Sequence, residues 1–159
     1  KMKKLVEKKL ALFCKRFKIE LIISRPFNIY GKNDKYSIIQ KLKNHKKNSS
    51  NLTIFNNGNS VRDFINVEDV AKVYGALIKK KFVGIIGIGT GRGVSIRQLV
   101  EAILFTYGKD VSVVWDSTKP NGDPIRLLDT TRATSYGFSP KITLHEGIKE
   151  IMEYYKETK

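Results

Sequence analysis

The sequence contains only one cysteine and two histidines among its 159 residues. A single cysteine excludes an internal disulfide, and two widely separated histidines lack the spacing of a zinc site, so we expect no bound metal. No stretch approaches the roughly 18 uninterrupted apolar residues of a membrane span, and no secretory signal is recognisable. These absences predict a cytoplasmic, soluble protein with no membrane partner.

Acidic residues are also scarce, since 15 Asp and Glu stand against 30 Lys and Arg, for a formal net charge of +15. This excess favours anionic partners, namely nucleic acid, acidic lipid or phosphorylated small molecules. Much of it lies in "KMKKLVEKK" and "KLKNHKK", which are typical of a solvated face. Because no nucleic-acid-binding motif is visible, we do not favour nucleic acid as the partner.

Predicted strands and helices alternate along the chain. The run "IELIISRPF" is typical of a strand buried on both faces of a parallel sheet, and "LTIF" and "VSVVW" are further strand candidates. Helical spacing of apolar residues marks residues 1–18, "SIIQKLKN", "VEDVAKVYGALIKK", "SIRQLVEAILFTY" and "TLHEGIKEIMEYY". This alternation predicts an α/β fold.

The helix boundaries carry capping signals. We expect Asn66 to cap the helix near 67–80, Ser95 to open a capping box and Gly108 to end that helix. A Thr-x-x-Glu box opens the last helix at Thr143. The apolar face predicted for the 67–80 helix consists of Val67, Val70, Ala71, Tyr74, Leu77 and Ile78.

The glycine-rich stretch "IGIGTGRGVS" does not match a phosphate-binding loop. Its glycines recur at every second position, so neither the dinucleotide fingerprint Gly-x-Gly-x-x-Gly nor a Gly-Lys-Ser/Thr phosphate loop is present. We interpret it as a strand end, a tight loop and a capped helix.

Polar residues with suitable chemistry lie in three other segments. Asn28 follows the first buried strand, at the end where open α/β sheets bind ligands. Arg62 has the planar donor fork that clamps a diphosphate, with a salt bridge to a local acid as the alternative. A Pro- and Gly-containing loop supplies Lys119, Asp123 and Arg126.

The order of four blocks carries more information than any one of them. "RPFNIYG", "TIFNNGNSVRDFINVEDVA", "IGIGTGRGVSIRQL" and "KPNGDPIRLLD" together resemble the carboxyl-terminal half of the extended short-chain dehydrogenase/reductases, which include nucleotide-sugar epimerases, dehydratases and reductases. The resemblance implies the carboxyl-terminal part of a Rossmann-type parallel sheet in residues 1–31. It implies a small α/β substrate-binding domain in residues 32–159, with the 67–80 helix packing back on the Rossmann sheet.

The resemblance also implies where the cofactor binds. In "KKLVEKKL" a glutamate follows Lys3 by four positions, as in the family's helix, so Lys3 corresponds to the lysine of the Tyr-x-x-x-Lys pair. That lysine holds the ribose of NAD or NADP and favours the tyrosine's phenolate, and Pro26 and Phe27 lie beside the nicotinamide. The tyrosine and the Gly-rich cofactor loop would precede Lys1. We therefore expect a longer enzyme, and whether this chain alone is an enzyme stays open.

On the substrate side, the resemblance assigns Asn28 and Arg62 to the diphosphate of a nucleotide-diphosphate sugar and Ile54 to its base. Lys119 and Asp123 correspond to the family's "RPGD" block, although one extra residue here separates them, and Arg126 is the alternative phosphate contact. Gly87 stands where the family commonly has asparagine.

The implied function is nucleotide-sugar epimerisation or dehydration by hydride transfer at a sugar carbon, in a homodimer that includes the amino-terminal Rossmann half. Two alternatives remain at this stage. One is a truncated, non-catalytic module that binds a nucleotide sugar or a protein, and the other is a basic nucleic-acid-binding protein.

Overall fold

The computed structural model describes residues 2–34, 38–39, 51–108, 111–118 and 122–157. The helices bounded within these residues are α1 (Met2–Arg16), α2 (Val67–Lys79), α3 (Ile96–Tyr107), α4 (Thr131–Ser135) and α5 (Leu144–Glu157). The strands are β1 (Ile22–Pro26), β2 (Asn28–Tyr30), β3 (Leu52–Phe55), β4 (Val61–Asn66), β5 (Gly84–Ile88), β6 (Gly93–Ser95), β7 (Val113–Asp116) and β8 (Ile125–Arg126). The predicted α/β class is confirmed.

The strands form three small sheets that are dominated by parallel pairs. β1 pairs with β5, and β3 pairs with β7, both in parallel. β4 is the central strand of the third sheet, with β2 and β8 parallel to it and β6 antiparallel. Strand β4 therefore holds together four segments that are far apart in the sequence.

Two hydrophobic cores meet at β4. Side chains alternate between the two faces of a strand, and here Phe64 packs against one core while Ile65 belongs to the other. The first core joins α3 to α5 and contains Tyr30, Ile39, Leu99, Val100, Ile103, Ile148, Ile151 and Met152. The second core joins α2 to β5 and contains Ile65, Val70, Val73, Leu77, Phe82, Ile86, Ile88 and Ala133.

The predicted capping residues hold the helix ends. The Asn66 side chain accepts the Glu68 N–H at 2.8 Å, and Ser95 and Gln98 form a reciprocal capping box. Gly108 ends α3 in the left-handed conformation, with φ of 62°. Thr143 and Glu146 form the box expected before α5. Each cap satisfies backbone groups that the helix itself leaves without partners.

A buried carboxylate fixes the approach to α5. Asp69, in the first turn of α2, is 1% exposed, and its Oδ2 accepts the backbone N–H groups of Lys141 and Ile142 at 2.8 and 2.9 Å. The segment before α5 is thereby tied to the start of α2, although the sequence separation exceeds seventy residues. This contact helps to place α5 against α3.

The burial of the first helix and strand differs from the prediction. β1 is only partly buried, because β5 is its sole strand partner in the described part of the chain. α1 forms as expected, yet its apolar residues Val6, Leu10, Phe13 and Phe17 are exposed and only Cys14 is buried. The prediction that β1 is covered on both faces is therefore wrong for this chain taken alone.

The apolar face of α2 also differs from the prediction. Val70, Val73 and Leu77 are buried, whereas Ile78 is 70% exposed and Tyr74 lies at the surface, where its hydroxyl meets Ser24. The helix turns toward the second core through the face that carries Val73, because β5 lies on that side. The predicted helix in "SIIQKLKN" falls largely outside the described residues. No helix among those described is long and apolar enough to cross a membrane.

Candidate functional site

A cavity of about 440 Å³ lies between the β2–β4 edge and the start of α3. Asn28, in β2, and Arg62, in β4, both line it, although 34 positions separate them in the sequence. Its other lining residues are Ile29, Tyr30, Asp34, Ile38, Ile39, Phe64, Ile96 and Leu99. The structure thus brings the two predicted diphosphate contacts to one largely apolar cavity with a cationic side chain.

The alternation of side chains along β4 explains how Arg62 reaches this cavity. Arg62 and Phe64 line the cavity, whereas Asp63 and Ile65, between and after them, are completely buried on the other face. β4 therefore presents Arg62 and Phe64 to the cavity, while the buried side chains of Asp63 and Ile65 anchor the strand in the protein.

The Asn28 amide is fixed by the backbone of β4. Its Nδ2 donates to the carbonyl oxygen of Asp63 at 2.7 Å. An asparagine amide has two N–H donors and an acceptor oxygen, so this hydrogen bond uses one donor only. The anchored amide retains the capacity to contact a polar ligand.

The Arg62 guanidinium is anchored by its own strand. Its Nη1 donates to the carbonyl oxygen of Val61 at 2.7 Å, which uses one of five guanidinium N–H donors. Within the described residues, no ion pair is found for Arg62. The alternative role of Arg62, a salt bridge to a local acid, has no support in this part of the chain.

The β8 segment lies beside Arg62. Arg126 is the register partner of Arg62, and residues opposite each other in neighbouring strands place their side chains on the same face. The space for a Cβ at Gly122 is 3.5 Å from Arg62 Nη2. Arg126 itself pairs with Asp123, with 2.8 Å between Nε and Oδ2, and both side chains are exposed. Asp123 thus offsets the Arg126 charge, while Arg62 retains its own.

The donors of the glycine-rich loop bind a carboxylate of the chain itself, that of Asp63. Asp63 is completely buried, and its carboxylate accepts the backbone N–H groups of Thr90 and Gly91 at 2.9 and 2.8 Å. The Thr90 hydroxyl donates to the same carboxylate at 2.6 Å. Because a carboxylate already occupies the loop's donors, the loop does not serve as a phosphate cradle, in agreement with its glycine spacing.

A second groove, of about 430 Å³, lies between α1 and β1. Lys3 lines it together with Met2, Val6, Glu7, Leu10, Ile22, Ile23 and Ser24. Pro26 ends β1, and the Phe27 N–H donates to the carbonyl oxygen of Ile88 at 2.9 Å. Lys3 therefore lies beside β1, and Pro26 and Phe27 lie at its carboxyl end, whereas Asn28 and Arg62 line a different cavity.

An ion pair joins α1 to the end of β1. Arg25 Nε donates to Glu7 Oε1 at 3.0 Å, and a second hydrogen bond joins the Arg25 Nη2 to the other carboxylate oxygen. The Arg25 guanidinium holds the pKa of Glu7 below its usual value. This contact orients the helix that carries Lys3 relative to the strand that ends at Pro26.

Comparison with known proteins agrees with this arrangement. The sequence model described as the NAD dependent epimerase/dehydratase family matches residues 2–89, more than half of the chain. The chain belongs to this family. The resemblance to the extended short-chain dehydrogenase/reductases, which include these epimerases and dehydratases, is thereby confirmed.

The relatives that resemble this chain include proteins named for a GDP-sugar and proteins named for a UDP-sugar. The chain is 29% identical over 150 residues to the putative GDP-L-fucose synthase 2 of Arabidopsis thaliana, covering 87% of this chain and 45% of the relative. It is 33% identical over 156 residues to a putative UDP-glucose 4-epimerase of Methanocaldococcus jannaschii, covering 94% and 50%. The chain therefore spans about half the length of these relatives.

Solved structures of family proteins share the fold. A UDP-glucose 4-epimerase from Thermotoga maritima, with UDP-glucose, has a TM-score of 0.83 and 26% identity, covering 96% of this chain and 51% of that protein. A UDP-glucuronic acid 4-epimerase from Bacillus cereus, in complex with UDP-glucuronic acid and NAD, has a TM-score of 0.84 at 24% identity, covering 96% and 50%. The latter likeness concerns the fold alone.

Other residues that the family resemblance implies are not gathered at the Asn28–Arg62 cavity. Ile54 lies in β3 opposite Trp115 of β7, partly buried against the first core, and does not line the cavity. Lys119 lies outside the described residues. At Gly87, the departure from the family's asparagine, the Leu128 side chain fills the space that a Cβ would need.

Tyr30 lines the cavity, but its side chain is not suited to act as a general base. Burial raises the pKa of Tyr30 to about 12, and its hydroxyl donates to the carbonyl oxygen of Thr143 at 3.3 Å. At neutral pH the side chain is therefore an uncharged phenol. Tyr30 acts here as a packing residue of the first core.

The sequence analysis predicted Arg62 as a ligand contact but predicted neither strand β4 nor the second cavity residue of that strand, Phe64. The segment "VRDFIN" does not alternate strictly between apolar and polar residues, because the charged Arg62 and Asp63 are followed by two apolar residues, so the usual strand signal is absent. Asp63 was not predicted as a functional residue. Its role depends on the Gly-rich loop 27 residues later, and a local pattern carries no information on that contact.

Proposed function

We propose that this chain is the substrate-binding half of an NAD(P)-dependent nucleotide-sugar epimerase or dehydratase. Residues 1–31 would complete a Rossmann-type cofactor domain, and residues 32–159 would form most of the substrate-binding domain, with α2 packing back on the Rossmann sheet. The observation that carries the proposal is the convergence of Asn28 and Arg62 on one cavity.

The chemistry of this cavity suits a nucleoside diphosphate. A guanidinium presents parallel N–H donors that match phosphate oxygens, and an anchored amide adds a neutral donor beside it. Arg126, the register partner of Arg62, would contribute further guanidinium N–H donors at the same edge, with its charge offset by Asp123. The wall formed by Ile29, Phe64 and Ile96 would cover the less polar parts of the ligand.

The residues around β1 suit the cofactor side of the reaction. Pro26 is the last residue of a parallel strand and Phe27 follows it, at the end where open α/β sheets bind ligands, and Lys3 lies on the helix beside this strand. When bound, NAD or NADP supplies the acceptor for a hydride from the sugar carbon. Lys3 would hold the cofactor ribose and, as a nearby positive charge, would lower the pKa of a tyrosine outside this chain.

The open surface of α1 supports a partner on this side. Met2, Leu12 and Phe17 are between 56% and 74% exposed, and the edge of β1 away from β5 has no strand partner within the described residues. We propose that a partner covers these apolar side chains. The amino-terminal Rossmann half and a second subunit of a homodimer are the partners that we propose.

The experiment is a calorimetric titration of UDP-glucose and GDP-mannose into the full-length gene product and its Arg62→Ala variant. We expect Arg62→Ala to weaken the binding of the preferred ligand at least tenfold, because charge-assisted hydrogen bonds to phosphate are lost. Arg132→Ala is the control, since it removes the same charge from α4, at a residue that does not line the cavity. Equal affinities of wild type and Arg62→Ala would defeat the proposal.

A further inference from the structure

We infer that Asp63 is a positioning residue for the nucleotide-sugar site, acting through Arg62 and Asn28. This inference rests on the proposed function, because it assumes that these two side chains bind the substrate diphosphate. Asp63 itself does not line the cavity and would not touch the ligand.

The carboxylate of Asp63 fixes the Gly-rich loop to β4. Its Oδ1 accepts the Thr90 hydroxyl at 2.6 Å and the Thr90 N–H at 2.9 Å, while Oδ2 accepts the Gly91 N–H at 2.8 Å. The side chain is completely buried, so water does not compete for these hydrogen bonds. Loss of one partner would leave a buried donor unsatisfied, which is costly.

The backbone of the same residue fixes Asn28. The carbonyl oxygen of Asp63 accepts the Asn28 amide at 2.7 Å, so any displacement of β4 at this residue also displaces the proposed phosphate contact in β2. Arg62 is the preceding residue and is anchored to the backbone of Val61. One buried carboxylate therefore constrains both cavity donors.

The loop that Asp63 holds begins where β5 ends. β5 pairs with β1, and the Phe27 N–H donates to Ile88, the last residue of β5. Asp63 thus connects β4, which carries Arg62, with the β1–β5 pair on the proposed cofactor side. Gly89 permits this connection, because a Cβ there would lie 2.6 Å from Asp63 Oδ2.

The substitution Asp63→Asn tests the inference in the full-length protein. It places an amide N–H₂ group where an acceptor is needed, and we expect the Kd of UDP or GDP, whichever binds, to rise about tenfold. If Asp63 acts through both Arg62 and Asn28, the same substitution in an Arg62→Ala background should raise the Kd less, by about threefold, because only the Asn28 contact then remains to be displaced. Calorimetric titration of the four proteins, each shown to unfold cooperatively, measures both effects.

The outcomes separate the inference from the proposed function. An equal loss from Asp63→Asn in both backgrounds, or no loss in either, would overturn the positioning role while leaving the Arg62 contact in place. If Arg62→Ala alone has no effect, the proposed function itself fails. The comparison of the four proteins therefore distinguishes failure of the positioning role from failure of the proposed function.

A milder variant keeps the inference testable if Asp63→Asn does not fold. Thr90→Val removes the hydroxyl hydrogen bond to Asp63 and preserves both backbone donors, so we expect a rise in Kd of about threefold that is smaller in the Arg62→Ala background. Thr118→Val is the matched control, because it removes a hydroxyl hydrogen bond to Asp116, and neither of these residues lines the cavity. An unchanged Kd for Thr90→Val, or an equal rise for Thr118→Val, would contradict the inference.

Discussion

At the scale of single residues, Gly89 is required by what lies next to it. A Cβ at this position would lie 2.6 Å from Asp63 Oδ2 and 2.9 Å from a methyl group of Leu128. Both neighbours are constrained, since Asp63 is completely buried and Leu128 also fills the space beside Gly87. The glycines of this loop therefore allow its backbone to pack closely around the Asp63 carboxylate.

We predict that Gly89→Ala lowers the free energy of unfolding of the full-length protein by about 1–3 kcal/mol, because overpacking forces the Asp63 carboxylate away from the loop donors. Gly75→Ala is the matched control. Gly75 lies inside α2 with no atom within 4 Å of the added Cβ, so alanine there should stabilise the helix by up to about 1 kcal/mol. Urea denaturation measures both, and equal stability of the two variants would refute the account of the loop.

Single residues were also where sequence reasoning was most accurate. Asn66, Ser95 and Gly108 are capping residues as predicted, because a cap is defined by contacts within three or four positions. Asp63 shows the opposite case. Its partners lie 27 and 28 positions away, and nothing in its immediate sequence specifies them.

At the scale of elements, the start of α5 carries a charge-dependent cap. Glu146 accepts hydrogen bonds from the hydroxyl and the backbone N–H of Thr143, at 2.7 and 2.8 Å, and these lower its pKa from the ordinary value of 4.5. A carboxyl group whose pKa is lower in the folded state stabilises the fold above its unfolded pKa. This contribution is lost as the pH falls through the folded pKa.

We therefore predict that the difference in unfolding free energy between wild type and Glu146→Gln is largest above pH 5 and shrinks as the pH falls below 4.5. Glutamine keeps an acceptor oxygen at the same place but carries no charge. Thermal or urea unfolding at several pH values measures the difference. Glu153→Gln removes the same charge further along α5, and a pH dependence equal to that of this control would contradict the prediction.

The elements themselves were only partly predictable. α1, α3, α5, β3 and β7 follow from periodicity, but β4 was missed because Arg62 and Asp63 interrupt the apolar pattern in its first half. The apolar faces that the periodicity predicts for α1 and α2 are largely open. Apolar periodicity shows which face can be buried, but it does not show whether the partner surface belongs to the same chain.

At the scale of the whole molecule, the two cores that meet at β4 match the two proposed roles. The second core joins α2 to β5 on the proposed cofactor side, and the first joins α3 to α5 behind the cavity. The order of four motifs along the sequence was sufficient to predict the family, which the match over residues 2–89 confirms. The cavity was not predictable, because β2, β4 and α3 meet only in the folded chain.

The central claim is that Arg62 and Asn28 bind the diphosphate of one ligand in one cavity. It is tested most directly by titrating a nucleoside and its diphosphate, uridine with UDP and guanosine with GDP, into full-length wild type, Arg62→Ala and Asn28→Ala proteins. We predict that each substitution weakens the binding of the diphosphate about tenfold and changes the binding of the nucleoside less than twofold. Equal losses for nucleoside and diphosphate, or none for either, would contradict the account.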